Sequence, residues 1–223
     1  MWFLRERIKG CKTVEKKKDI SMAVIRRLPK YHRYLYDLMR NDVDRISSKE
    51  LSEKIGFTAS QIRQDLNNFG DFGQQGYGYN VKDLYNEISS ILGLRGEYNI
   101  VIIGAGNIGQ AVANYAKFDK LGFKLQAIFD VNPKLIGLKI QDVRIRDIDE
   151  LDEFLKSNEV DLGVISVPKS NAQNVCDILI NNGVRGIWNF APIDLQASEG
   201  VVIENVHLSE SLLTLTYLMN GRK

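Results

Sequence analysis

Apolar residues recur at helical spacing from Pro29 onward, where Tyr31, Tyr34, Leu35, Leu38 and Met39 make one stripe. Pro29 suits a first helical turn, because that turn does not use its missing N–H. The next stretch reads RISSKELSEKIG. Ser47 and Glu50 stand in capping-box spacing, Leu51 and Ile55 pair one turn apart, and Gly56 marks a stop. Thr58 and Gln61 repeat the capping spacing, and Ile62, Leu66 and Phe69 carry the following stripe. Two short helices around a glycine-containing turn have helix-turn-helix spacing. After Gly70, DFGQQGYGYNV sets Gly73, Gly76 and Gly78 among Phe72, Tyr77 and Tyr79, which predicts a β-hairpin. Helices followed by such a hairpin predict a winged helix.

Val81 to Leu92 is helical again, with Val81, Leu84, Tyr85, Ile88, Ile91 and Leu92 apolar, and GLRGE then breaks the pattern. From Asn99 the rhythm changes. Strand-like runs (NIVIIG, LQAIFDV, LKIQDVRI, DLGVISV, GIWNF, VVIEN) alternate with helical patterns beginning at Gly106 and lying near Leu151 and Asn174. Unbroken apolar strands alternating with helices predict a parallel sheet buried on both faces. LSESLLTLTYLMNG is one more helix. The expected organisation is a tail over 1–20, a winged-helix domain over 21–92, an α/β domain over 93–207 and a last helix over 208–223.

Composition narrows the class. Hydrophobic content of 44% and charged content of 26% are ordinary for a soluble globular chain. No apolar run approaches the ~20 residues needed to span a membrane. The first twenty residues, MWFLRERIKGCKTVEKKKDI, mix apolar and charged positions without a signal peptide's apolar core, so a disordered basic tail is expected. Cys11 and Cys176 form neither a disulfide framework nor a zinc pattern, which points to a reducing cytoplasm. The net charge of +2 hides an asymmetry: residues 1–80 carry 16 basic against 10 acidic side chains, and residues 81–223 carry 14 against 18. A basic front half suggests an anionic partner.

VIIGAGNIGQA offers a motif for such chemistry in the acidic half. Gly104, Gly106 and Gly109 fit G-x-G-x-x-G, follow an apolar strand and open a helix. This is a Rossmann-like setting for a dinucleotide, whose pyrophosphate would sit at the helix start over Ala105, Asn107 and Ile108. Asp130, followed by Val131, ends the next strand, where a carboxylate binds ribose hydroxyls and repels a 2′-phosphate, so NAD(H) is expected over NADP(H). SVPKS and NFAP end two further strands and supply Val167, Pro168, Asn189, Ala191 and Pro192 as candidate walls for the nicotinamide. Catalytic partners are scarce. His32 and His207 are the only histidines, and no nucleophile motif or metal spacing appears. The expectation is no enzyme, no metal and a dinucleotide acting as a signal. A dehydrogenase with an added helical domain and a coenzyme A-binding regulatory module are the alternatives.

The helix from Thr58 has an opposite, polar face of Ser60, Gln64 and Asn67, flanked by Gln61 and Arg63. These side chains suit base edges and phosphates in a major groove. Arg26, Arg27, Lys30 and Arg33 near the first helix are candidate phosphate clamps. Tyr31, Ser47, Gln75 and Tyr77 complete the set of candidate DNA contacts.

Together these segments resemble the Rex family of redox-sensing transcriptional repressors. The resemblance runs from about Ser21 to the C-terminus and rests on RRLPKYHRYL (Arg26–Leu35), SQIRQDLNNFGDFGQQGYGY (Ser60–Tyr79), VIIGAGNIGQA (Val101–Ala111) and WNFAP (Trp188–Pro192). It implies a homodimer of winged-helix and Rossmann-like subunits that binds palindromic operators when NADH is scarce and leaves them when NADH binds. It implies NADH and NAD+ as ligands, Gly104–Gly109 at the pyrophosphate, Asp130 at the adenosine ribose, and Gln61, Arg63 and Gln64 facing the operator. It also implies a C-terminal helix that crosses into the partner. Leu208, Leu212, Leu215 and Met219, widened by Leu213 and Tyr217, offer an apolar surface for that role. One departure concerns the wing tip, where Gln74 and Gln75 stand in place of a basic residue.

Overall fold

A computed structural model of the chain describes residues 20–70, 77–115 and 117–221, and it divides into two units between Arg95 and Gly96. The basic tail, apart from its last residue, and the wing tip with Gln74 and Gln75 lie outside the described residues.

The first unit runs α1 (Met22–Ile25), α2 (Leu28–Arg40), β1 (Arg45–Ile46), α3 (Ser48–Ile55), α4 (Ala59–Leu66), β2 (Tyr79–Asn80) and α5 (Val81–Ile91). Local chemistry sets the helix ends. The Ser47 oxygen accepts from the Glu50 N–H at 3.1 Å while Glu50 accepts from the Ser47 N–H at 2.8 Å, a complete capping box. Thr58 and Asn80 cap α4 and α5 with one bond each, their side-chain oxygens accepting from the Gln61 and Asp83 N–H groups. The inward stripes meet in one core containing Leu28, Leu35, Leu51, Ile55, Ile62, Leu66, Leu84 and Ile88. β2 pairs antiparallel with β1, placing Arg45 opposite Asn80 and Ile46 opposite Tyr79. The hairpin reading of 70–80 had no place for this strand ahead of α3. Gly78 permits the approach: its φ is +70°, and a Cβ there would lie 2.7 Å from the Ile46 carbonyl oxygen.

The second unit runs β3 (Tyr98–Ile103), α6 (Asn107–Ala113), α7 (Lys117–Lys120), β4 (Phe123–Asp130), β5 (Lys139–Ile140), β6 (Val143–Asp147), α8 (Leu151–Ser157), β7 (Leu162–Ile165), α9 (Lys169–Asn181), β8 (Gly186–Asn189), β9 (Val202–Asn205) and α10 (Leu208–Asn220). Its sheet has seven strands in the order β5-β6-β4-β3-β7-β8-β9. Neighbours are parallel except β5 and β6, the LKIQDVRI stretch, which form an antiparallel edge. Side chains alternate between two cores. Val101, Ile103, Phe129 and Ile165 face one, and Ile102, Ile128 and Val164 face the other, which explains the unbroken apolar strands. Beyond β9, α10 buries none of its residues.

Candidate functional sites: a glycine cradle and a polar helix face

The chain leaves β3 toward β4 and β6 on one side of the sheet, then returns to β7 on the other side of β3. Such a reversal opens a crevice beyond the carboxyl ends of the strands. A cavity of about 820 Å³ lies there, lined by Gly104, Gly106, Asp130, Val131, Ser166, Val167 and Pro168 from the ends of β3, β4 and β7. Leu135, Ile148 and Leu151 add an apolar wall, and Asn171 and Asn174 add amides.

Backbone proximity shapes the cradle. Gly104 has φ +99° and donates its N–H to the Phe129 carbonyl at 2.8 Å. A Cβ on Gly109 would stand 1.9 Å from the Gly104 carbonyl oxygen, so only glycine lets α6 start this close to β3. Nothing lies within 4 Å of a Cβ built on Gly106, the N-cap of α6, on the cavity side of the turn. The first turn of α6 leaves N–H groups without helical partners, an anion-binding arrangement. The Asp130 carboxylate braces the loop, one oxygen accepting from Ala105 N–H at 2.6 Å and the other from Asn132 N–H at 2.7 Å. The Ser166 hydroxyl donates to the Gly104 carbonyl at 2.8 Å. Sequence reading missed Ser166, which ends the DLGVIS run just before the Val167 and Pro168 it did find.

Asn107, Ile108 and Gly109 lie on α6 and do not line the cavity. Asn189 is corrected from a cofactor wall to an interior brace. It is fully buried; its amide donates to the Ile193 carbonyl at 2.7 Å and the Asn205 side-chain oxygen at 2.8 Å, and accepts from Ala191 N–H at 2.9 Å. Ala191 is buried with it, and Pro192 is exposed. Neither histidine lines the cavity. His207 bonds Asp194 at 2.9 Å, which raises its pKa, and burial lowers that of His32. Burial also pushes the Cys176 thiol up to about 11, so it stays an uncharged interior sulfur. Among the described residues, no group of three or more His, Cys, Asp or Glu side chains can hold a metal ion.

In the first unit, α4 exposes Ser60, Arg63, Gln64 and Asn67, with Gln61 half-buried. Arg63 reaches across to α3 and donates to the Ser48 hydroxyl at 2.9 Å. Arg26, Lys30 and Arg33 are exposed, Lys30 with its ammonium 4.7 Å from the Phe57 ring centre. Tyr77 is 71% exposed, and its carbonyl accepts from Arg45 at 3.3 Å. Ser47 uses its oxygen as the α3 cap. Two expectations are corrected. Tyr31 has no exposed surface, and its hydroxyl donates to Asp65 at 2.6 Å, so it is a core residue rather than a phosphate contact. Arg27 grips the same carboxylate through Nε at 2.6 Å and Nη2 at 2.7 Å, so that edge of its guanidinium is committed inside the unit. Burial, then Asp65, drives the Tyr31 hydroxyl pKa far up, so it remains a donor.

Known proteins match both halves. A family described as "Putative DNA-binding protein N-terminus" matches residues 19–67, and one described as "CoA binding domain" matches residues 95–193. The redox-sensing transcriptional repressor Rex of Clostridium novyi (strain NT) is 78% identical, across 93% of this chain and 99% of its own length. The protein of the same description from Clostridium tetani (strain Massachusetts / E88) is 71% identical, across 94% of this chain and all of its own. Among solved structures, RSP in complex with beta-NAD+ and operator DNA is 60% identical with a TM-score of 0.85, covering 92% of this chain and 94% of RSP. RSP in complex with beta-NADH is 57% identical with a TM-score of 0.84, covering 92% and 96%.

Proposed function

The chain belongs to the Rex family of redox-sensing transcriptional repressors, and we propose that it binds operator DNA through α4 and is released by NADH held at the glycine cradle. The observation that carries this reading is the cradle itself: a close-packed glycine turn, a helix start and a strand-end carboxylate around one cavity. RSP, similar over nearly its whole length, is known with both nucleotides and with operator DNA. NADH rather than coenzyme A is the ligand, because Asp130 suits free ribose hydroxyls and repels the ribose phosphate that coenzyme A carries. The nucleotide is a signal and not a reagent, and the protein works in the cytoplasm.

The mechanism is a population shift. NADH binds the state that does not hold DNA better than the state that does, and NAD+ discriminates less. A coupling of ~1–3 kcal/mol would change operator affinity by about 5- to 150-fold. The working form is a homodimer on a palindrome. Two unpartnered surfaces support this: the leucine-rich α10, and an apolar groove of about 400 Å³ on the sheet between Ile100, Leu162, Val164, Trp188 and Val202. Cofactor contacts by Gly104, Gly106, Asp130, Val167 and Pro168, and DNA contacts by Ser60, Gln61, Arg63 and Gln64, complete the proposal.

Fluorescence anisotropy on a labelled palindromic duplex at fixed salt tests it. Release by low NADH, with little effect of NAD+ or coenzyme A, is expected. Specific DNA binding that no dinucleotide disturbs would sink the proposal.

A further inference from the structure

The Asp65 carboxylate is 2% exposed, lies on the inner side of α4, and receives three donors from the start of α2. Arg27 and Tyr31 stand one helical turn apart, so both reach the same group. The turn between α3 and α4 closes the cluster from another side. The Phe57 ring meets Tyr31 edge-on at 5.8 Å and underlies the Arg27 guanidinium at 5.8 Å. A bidentate fork fixes orientation as well as distance. Gripping one off-axis carboxylate this way fixes how far α4 is rolled about its own axis.

Roll matters to a helix that reads bases. Side-chain tips stand ~5–6 Å from the helix axis, so a roll of ~10° moves a tip about 1 Å. Hydrogen bonds to base edges tolerate less than that. Gln64 directly precedes Asp65, about 100° round the helix, and points outward.

We propose that the Arg27–Asp65–Tyr31 cluster sets the roll of α4 and thereby its operator discrimination, making Arg27 and Tyr31 positioning residues that never touch DNA. This rests on the reading that α4 meets the operator. A phosphate clamp and a positioning residue differ in kind. Losing a clamp weakens every sequence alike and lowers the salt slope by about one. Losing a positioning group weakens the operator more than other DNA and leaves the slope alone.

Affinity for an operator duplex and for a scrambled duplex of equal length, measured over a salt series, separates them. The proteins compared are the full chain and its Tyr31→Phe, Arg27→Gln and Gln64→Ala variants. Tyr31→Phe and Arg27→Gln should lower the operator-to-scrambled ratio about tenfold, with unchanged salt slope and unchanged NADH binding. Partial unfolding reduces both affinities together and leaves the ratio intact, so the ratio reports positioning. An Arg27→Gln protein that loses about one unit of slope at constant ratio overturns the proposal. So does an intact ratio in Tyr31→Phe beside a collapsed one in Gln64→Ala. An intact ratio in Gln64→Ala overturns the reading of α4 itself.

Discussion

The two units build their sites from different material. In the first, side chains do the work: a polar outer face on α4, and behind it a buried carboxylate held by an arginine and a tyrosine. In the second, backbone forms the cradle, and side chains mainly brace it, as Asp130 and Ser166 do. A side-chain site degrades by steps as single bonds are removed. A backbone site fails at once when one methyl group intrudes.

The sharpest test of that contrast is Gly109→Ala, which puts a Cβ against the Gly104 carbonyl. Overpacking of this kind costs about 3 kcal/mol, so NADH affinity should fall about a hundredfold while operator binding without NADH persists. Near-normal NADH binding, measured by titration, would erase the distinction between the units. Asp130→Ala comes next. It removes a charged brace and the proposed ribose partner, worth ~1.5–3 kcal/mol, so a drop of tenfold or more in NADH affinity is expected, again with operator binding intact.

The smallest effect is in pH, where the two histidines respond with opposite signs. The Ser89 hydroxyl donates to the Tyr85 carbonyl, so His32 Nε2–H must be the donor to Ser89, and burial lowers the pKa of this neutral ring. The unfolded chain then takes up a proton that the folded unit refuses. The contribution of His32 is therefore full above its ordinary value of 6.5 and lost as pH falls through the folded value. His207 is raised by its bond to Asp194, so its contribution is full below 6.5 and lost as pH rises through the folded value. Hydrogen exchange at α2 and at β9, followed from about pH 5 to about pH 8, should show protection rising with pH in the first and falling in the second. Slopes of the same sign in both would refute the assignment.

Much of this was legible because it is local. The Ser47–Glu50 box, the Thr58 cap and the glycine turn after β3 each depend on residues within one or two turns. The short β1 was not, since two residues have no period and its partner lies beyond two helices. The inward or outward choice of a strand-end residue is also tertiary, which is why Asn189 looked like a cofactor wall. Arg27 and Tyr31 were misjudged because basic and aromatic residues near a helix start suit DNA equally well. The overlooked signal was Asp65, three residues after Ile62 on the apolar stripe. A carboxylate there needs buried donors, and Arg27 was the available fork.

The bare helix α10 has a thermodynamic consequence. At thirteen residues it is near the length at which a helix alone in water is only marginal, and among the described residues it buries none of its own. Whatever covers its leucines therefore also supplies its order. In the proposed homodimer, folding of this segment and its association become one event governed by mass action, so the stability of α10 would rise with protein concentration. Dilution alone should then loosen α10 before it disturbs the first unit or the sheet of the second.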